Sequence, residues 1–391
     1  MKDRVLIAGA GPVGLVAAAN LVRRGVPVTV LEAGADLGAE SRASTFHPPT
    51  LDMLDDLGVL QPLINQGLIA PKFQYRSRDG IMATFDFGLI ADATRHPFRL
   101  QCEQSKLTRV LLKALESEPK FQIEFSSPVR GVVETAGGAE VTVDRGGKAE
   151  TRSYPWVIGA DGARSAVRAA LGISFEGFTW PERYLVVSTP FDFTKVVPDI
   201  VSVSYVADPE RWFFLLRIPG LWRVMFRVAA EESDELALSE PFAQKLMAEI
   251  VPGIDRYEIA HTTLYRVHQR VAESYRKDRV LLIGDAAHVN NPLGGMGMNG
   301  GIHDAINLTE RLAAVWHGDK PDAELDRFDR QRRLITKAHV QTQSIQNKKN
   351  LENPSEFKER LREIAADPQR TYDYLLGVSM IGSLRQAETL G

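Results

Sequence analysis

"VLIAGAGPVGLVAAANLVRRGVPVTVLE" (residues 5–32) decides the fold. It opens with a short apolar strand, Val5–Ala8, and runs into an Ala/Val/Leu-rich helix from about Pro12 to Arg24, which Gly25 ends. A second strand, Val28–Leu31, stops at Glu32, eighteen residues after Gly14. Between first strand and helix stand Gly9, Gly11 and Gly14 in G-x-G-x-x-G spacing. Gly9 permits the tight turn, Gly11 lets backbone approach a pyrophosphate, and Gly14 lets the helix pack closely on the strand. The helix N-terminus turns its partial positive charge toward the phosphates. Glu32 can accept hydrogen bonds from a ribose diol, and its charge repels a 2′-phosphate. The expectation is a Rossmann-like α/β fold holding a dinucleotide, FAD or NAD.

Two further stretches repeat the strand-then-glycine pattern. "WVIGADGARSAVRAALG" (156–172) ends a strand in Gly159-Ala-Asp161-Gly162 and opens a helix carrying Arg164 and Arg168. "LLIGDAAHVNNPLGGMGMNGG" (281–301) belongs to a strand Val280–Ile283 followed by Gly284-Asp285, and five of the eight residues from Gly294 to Gly301 are glycine. In an open α/β sheet, ligands bind beyond the carboxyl ends of strands, so one extended ligand can touch all three motifs.

Together these motifs resemble the fingerprint of the group A FAD-dependent aromatic hydroxylases, the p-hydroxybenzoate hydroxylase-like flavoprotein monooxygenases. "GAGPVG" is similar to the first element, "GADGARSAVR" to the Asp-Gly element and "GDAAHVNNPLGGMGMNGGIHDAINL" to the Gly-Asp element. The resemblance covers residues 1 to about 335 and is thin from 175 to 265. It implies bound, non-covalent FAD, with Asp285 on the ribityl chain and Asp161 near the pyrophosphate or a nicotinamide nucleotide. Arg42, in "ESRASTFHPPTLDML", is implied to lie by the pyrophosphate or flavin, and Gln104, in "QSKLTRVLL", by the ribityl-phosphate region. The glycine turn, with Gly295, Gly297, Met298 and Asn299, then faces the isoalloxazine edge, and a helix begins near Met298. Bare N–H groups and a helix N-terminus suit negative charge on the reduced ring. Pro292 is expected to line the pocket near the reacting carbon.

The implied reaction is hydroxylation of a small phenolic or N-heteroaromatic substrate. NADH or NADPH binds transiently and reduces FAD, O₂ adds as a flavin C4a-hydroperoxide, and its terminal oxygen attacks the ring. His47 is the candidate general base, with a helix-start or FAD-contact role as the alternative. His288 is read as stabilising the loop after Asp285. Tyr205, Arg211, Arg217 and Arg223 are candidates for a substrate carboxylate or hydroxyl. On Trp222–Val228 the apolar residues Trp222, Val224, Phe226 and Val228 share one face, leaving Arg223 and Arg227 opposite. Which face lines the pocket is open at this level.

Composition narrows the classes further. With 47 basic and 50 acidic residues in 391, the net charge is −3, and no block of like charge offers a nucleic-acid or membrane footprint. No run of about 18 apolar residues occurs, and the N-terminal apolar run is broken by Gly-Ala-Gly-Pro, so it reads as fold and not as a leader. One cysteine, Cys102, excludes an intrachain disulfide and a Cys-rich metal site, reads as structural, and fits a reducing, cytoplasmic setting. No metal is expected.

There is no second G-x-G-x-x-G after a strand, no C-x-x-C of a disulfide reductase, and no amine-oxidase Arg-Gly-Gly-Arg segment after Glu32. "WFFLLRIP" (212–219) only faintly matches the halogenase Trp-x-Trp-x-Ile-Pro motif, because Phe214 replaces its second Trp. A thioredoxin-like extension is not expected. An FAD reductase or halogenase on the same scaffold, or a flavin redox sensor, are the alternative functions.

The expected organisation is interleaved. Segments 1–72, 98–176 and 266–345 build the FAD-binding domain, with a β-meander over Phe121–Val143. Segments 73–97 and 177–265 build a substrate-binding sheet, drawing on "PKFQYRSRDGIMATFDFG" (71–88) and alternating strands within 183–228. Residues 346–391 form a C-terminal helical segment whose apolar stretch "YDYLLGVSMIGSLRQ" packs back as core, with a homodimer interface as the alternative.

Overall fold

The computed structural model describes residues 3–39 and 43–390. Its first sheet has six strands, ordered Arg276–Lys277, Val280–Leu282, Trp156–Gly159, Val5–Ala8, Val28–Leu31 and Phe121–Glu124. All neighbours pair in parallel except the short edge strand Arg276–Lys277. Strands buried on both faces read as continuous apolar runs, and Val5–Ala8 is at most 1% exposed throughout. Helix Pro12–Arg23 starts with proline in its first turn and packs against the long helix Met296–His317.

The expected meander is displaced. Phe121–Glu124 joins the parallel sheet, and the antiparallel three-stranded sheet is Val129–Thr135, Gly138–Arg145 and Lys148–Tyr154. The reason is burial: Phe121 faces the main core beside Val28.

The second large sheet has eight strands, centred on Phe175–Thr189. That strand pairs along its length with His261–Ala272 and through its second half with Leu221–Val228, with the register shifting between Thr179 and Arg183. The sheet continues through Phe213–Ile218, Val203–Val206, Lys72–Ser77 and Gly80–Asp86. The strand His261–Ala272 thus runs across the boundary expected at 266, because its whole length is needed to pair Phe175–Thr189.

Period-2 alternation gives this sheet two apolar faces. Leu185, Val187, Leu215, Val224 and Phe226 pack on Phe242, Leu246 and Met247 of helix Glu240–Ile250. Phe73, Tyr75, Tyr184, Tyr205, Phe214 and Met225 face the other way, against Leu351, Phe357, Leu361, Leu375, Val378 and Ile381. Those partners come from four C-terminal helices, Thr342–Glu352, Pro354–Ala365, Pro368–Val378 and Ile381–Thr389, so the C-terminal apolar stretch is core. A third sheet, Thr45–Phe46, Arg99–Gln101 and Leu68–Ala70, has Arg99 on its central strand.

Candidate active site

At the carboxyl ends of four adjacent parallel strands the three glycine motifs meet. Gly9 has φ +104°, and a Cβ there would stand 2.5 Å from the Ala160 carbonyl oxygen. A Cβ on Gly14 would lie 2.1 Å from the Gly9 carbonyl oxygen, so helix and turn touch backbone to backbone. Gly11 differs: nothing lies within 4 Å of its Cβ position, which leaves open space in front of the helix N-terminus. Glu32, closing the neighbouring strand, accepts hydrogen bonds from Ala10 N (2.7 Å) and Gly34 N (2.8 Å). The carboxylate thereby ties the glycine turn to the end of the second strand, and each oxygen keeps a lone pair for a further donor.

Asp285 is exposed between the buried residues Gly284 and Ala286. Behind it lies a buried ionic cluster that the sequence reading did not single out. Asp304, fully buried, accepts from Arg332 Nε (2.6 Å), His288 Nε2 (2.7 Å) and Gly284 N (3.2 Å). Burial alone would raise the Asp304 carboxyl, but Arg332 and His288 outweigh it and hold it below the usual carboxylate range. His288 does stabilise its loop, and it does so through Asp304.

Asp161 and Gln104 both lie at helix starts. Asp161 turns into the protein, accepting from Ser165 Oγ (2.5 Å) and Val167 N (3.1 Å) at the start of helix Ala166–Ala170. Arg168 is buried with it, donating to the carbonyls of Ala286 and Ala163. Gln104 begins helix Gln104–Leu115, with its backbone N–H on the Ala43 carbonyl. Arg42 lies outside the described residues.

The glycine turn opens helix Met296–His317, two residues before the expected start. Gly294 and Gly295 have φ +95° and +69°, a region that side chains rarely adopt, and Gly295 is the residue before the first turn. The amides of Met296, Gly297 and Met298 fall in that turn, where an α-helix offers them no internal acceptor. The Met298 side chain is buried in the main core. Asn299 is corrected: its side chain braces the turn, donating to the carbonyls of Thr45 (2.8 Å) and Gly295 (2.6 Å) and accepting from His47 N (2.9 Å). Pro292 is half-buried and its carbonyl accepts from Gly295 N.

His47 takes the helix-start alternative and not the place of a general base. It is fully buried at the start of helix Pro48–Asp56, and its Nε2 donates to the Gly294 carbonyl at 2.7 Å. Burial first, then the Arg99 cation, hold its pKa well below the ordinary histidine value. Its proton is committed to a main-chain oxygen and its ring does not line the adjoining cavity. It braces the turn.

That cavity is narrow and lies between the glycine turn and the aromatic face of the eight-stranded sheet. Tyr75, Tyr205 and Arg99 line it from strands, Leu293, Gly294 and Met296 from the glycine turn, and Gln343, Asn347, Leu351 and Val378 from the C-terminal helices. Tyr75 and Tyr205 stack at 5.5 Å between centroids. Burial pushes the Tyr75 hydroxyl well above its ordinary pKa and that of its partner Tyr374 to about 12, so both are neutral donors at working pH. Gln343 and Asn347 reach the cavity from Thr342–Glu352, which follows a π-helical turn, Thr336–Gln341, of the kind that recurs at functional sites.

Of the sheet candidates, Tyr205 lines the cavity and two arginines do not. Arg211 pairs with Glu232 and lies over the Phe242 ring, and Arg217 lies over Trp222 beside Asp192, both on the opposite face. Arg223 faces inward, buried, with Nη1 on Ser44 Oγ at 3.0 Å, and burial lowers its pKa. Among the described residues no group of three His, Cys, Asp or Glu could hold a metal, and no helix is long and apolar enough to cross a membrane.

The open space at Gly11, the carboxylates at neighbouring strand ends and the first-turn amides of Met296–Met298 fit an extended dinucleotide with a flavin at the turn. This defines an FAD-dependent monooxygenase of the aromatic-hydroxylase class. The chain belongs to the family described as FAD binding domain, whose model matches residues 2–343. It is 36% identical over 389 residues to the 6-hydroxy-3-succinoylpyridine 3-monooxygenase HspB of Pseudomonas putida, covering 96% of this chain and 97% of that one. It is 35% identical over 340 residues to the para-nitrophenol 4-monooxygenase of a Pseudomonas species, covering 85% of this chain and 83% of that one. The crystal structure of p-nitrophenol 4-monooxygenase PnpA from Pseudomonas putida superposes with a TM-score of 0.90 at 29% identity, covering 96% of each chain.

Asp285→Ala removes an exposed carboxylate at the end of the strand Val280–Leu282. It should weaken FAD about tenfold or more, the scale of one charge-assisted hydrogen bond. Flavin titration of apoprotein measures this; parental affinity would remove Asp285 from the site.

Proposed function

We propose that this enzyme hydroxylates a small single-ring aromatic carrying a ring hydroxyl, a phenol or hydroxypyridine, in the cavity beside Gly294. The carrying observation is that cavity itself: ring faces and hydroxyls from Tyr75 and Tyr205, a guanidinium from Arg99, and the glycine turn beside them. The names of the two relatives, one acting on para-nitrophenol and one on a hydroxylated pyridine, support the same substrate class.

In this reading Gly9, Gly11, Gly14 and Glu32 hold the adenosine and pyrophosphate half of FAD, and Asp285 with the amides of Met296–Met298 holds the flavin half. Arg42 and Gln104 are further proposed contacts. FAD, when bound, supplies the electron transfer from NAD(P)H and the oxygen chemistry. The chain's own residues do the rest. The C-terminal helices cover the aromatic face and keep water from the ring, which protects reactive species from hydrolysis. Tyr75 and Tyr205 fix the ring plane, and His47 and Asn299 hold the Gly294–Gly295 turn at the distance the ring requires. The parallel sheet then acts as the nucleotide-binding body and the eight-stranded sheet as the substrate body.

The test is NADH and NADPH consumption by holoenzyme under air, with 4-nitrophenol and 6-hydroxy-3-succinoylpyridine, followed by mass analysis after turnover in labelled O₂. Stimulated consumption with one labelled oxygen in the product is expected. Consumption without label would make the protein a reductase.

A further inference from the structure

Arg99 is the one cavity-lining residue with a full charge, and its environment is incomplete. It is 2% exposed, and among the described residues no carboxylate pairs with it. A guanidinium has five N–H donors. Nη1 and Nη2 make only long contacts of 3.4 Å, to Tyr205 Oη and the Val378 carbonyl, and Nε has no partner. The faces of Phe73 and Phe87, 4.9 and 5.2 Å from the guanidinium carbon, offset part of the burial, but ring faces do not accept its remaining hydrogens. A buried cation left in this state is costly unless an anion completes it.

No base lines the same cavity. Among the described residues its polar side chains are Tyr75, Tyr205, Gln343, Asn347 and Arg99, without carboxylate or imidazole, and the nearby His47 does not line it. We infer that Arg99, with the Tyr205 hydroxyl beside it, is the oxyanion site for the substrate's ring oxygen, so that the substrate is held as its phenolate. This rests on the proposed substrate class. The O–H bond of the phenol breaks, its proton leaves to buffer on binding, and the electron pair stays on the oxygen within reach of the guanidinium. That pair donates into the ring and raises electron density at the carbon that takes oxygen. Deprotonation is thus driven by a fixed cation, and no dedicated base is required.

Oxidised holoenzyme without NAD(P)H is titrated with three probes: 4-nitrophenol, its methyl ether 4-nitroanisole, which cannot ionise, and 4-methoxybenzoate, which carries only a carboxylate. Difference absorbance reports the phenolate directly, and flavin absorbance confirms that cofactor remains bound. The parent should bind 4-nitrophenol as phenolate at pH values where the free compound is mostly protonated. Arg99→Met should lose affinity for it about 10- to 100-fold and return its ionisation to that in water, while 4-nitroanisole changes less than about threefold. Arg99→Lys, keeping the charge without the fork, should retain the phenolate spectrum with intermediate affinity. Two outcomes overturn the inference: 4-nitrophenol bound to the parent as neutral phenol, or 4-methoxybenzoate alone showing dependence on Arg99. Failure of any phenol or hydroxypyridine to bind or stimulate NAD(P)H use would instead overturn the proposed substrate class.

Discussion

Asp304→Ala is expected to destabilise the protein by about 3–5 kcal/mol, the usual consequence of removing one partner from a buried ion pair. Arg332, 1% exposed, would keep its charge with only the Gly300 carbonyl at 3.3 Å, and Gly284 N would lose its acceptor. Because Gly284 precedes Asp285, the loss should also appear as weaker FAD retention. Asp304→Ala combined with Arg332→Met should recover much of the stability, since the orphaned cation is then gone. The pH dependence has a definite sign. A carboxyl held below its unfolded value stabilises fully above that value, about pH 4 for aspartate, and loses the contribution as pH falls through the folded value. The parent should therefore show an acid-side loss of stability that Asp304→Ala lacks. Denaturant unfolding from pH 3 to 7 measures both, and a variant within about 1 kcal/mol of the parent would mean that the cluster does not hold the site together.

The nucleotide-binding half was legible because its constraints are local. Val5–Ala8, Val28–Leu31 and Trp156–Gly159 are short apolar runs closed by glycine or, in the second, by Glu32, and the sheet places them where those signals end. The first half of strand Phe175–Thr189 was not legible, since Pro181 within it argues against a strand, and only the register shift between Thr179 and Arg183 makes room for it. Arg99 carries no sequence signal either. It sits in a three-residue strand, and its lack of an acidic partner is a property of the assembled fold. Arg211 and Arg217 looked equivalent to Arg223 because a strand pattern shows alternation but not which face meets the cofactor. Packing of helix Glu240–Ile250 on the Trp222/Val224/Phe226 face is what assigns the sides. His47 shows the same limit: a histidine after a loop reads as exposed chemistry until its burial and its bond to Gly294 are seen.

Gly11→Ala and Gly14→Ala, three residues apart, are expected to fail in opposite ways. A methyl at Gly14 would meet the Gly9 carbonyl oxygen at 2.1 Å, a contact with backbone that no rotamer relieves. The helix must move off the strand, at a cost of about 1–3 kcal/mol for overpacking, so the apoprotein itself should unfold earlier. Gly11 sits before the first helical residue at φ −68°, which alanine adopts freely, and its methyl would enter empty space. Gly11→Ala should therefore change apoprotein stability by less than about 1 kcal/mol, the scale of a helix-start substitution. Its defect should appear only with the ligand, as a loss of FAD affinity of about tenfold or more, because the methyl occupies the volume through which the pyrophosphate approaches the helix N-terminus. Thermal unfolding of apoprotein and flavin titration, run on both variants, separate the two effects. Parental FAD affinity in Gly11→Ala would place the pyrophosphate elsewhere, and parental stability in Gly14→Ala would mean that helix and turn do not touch as described.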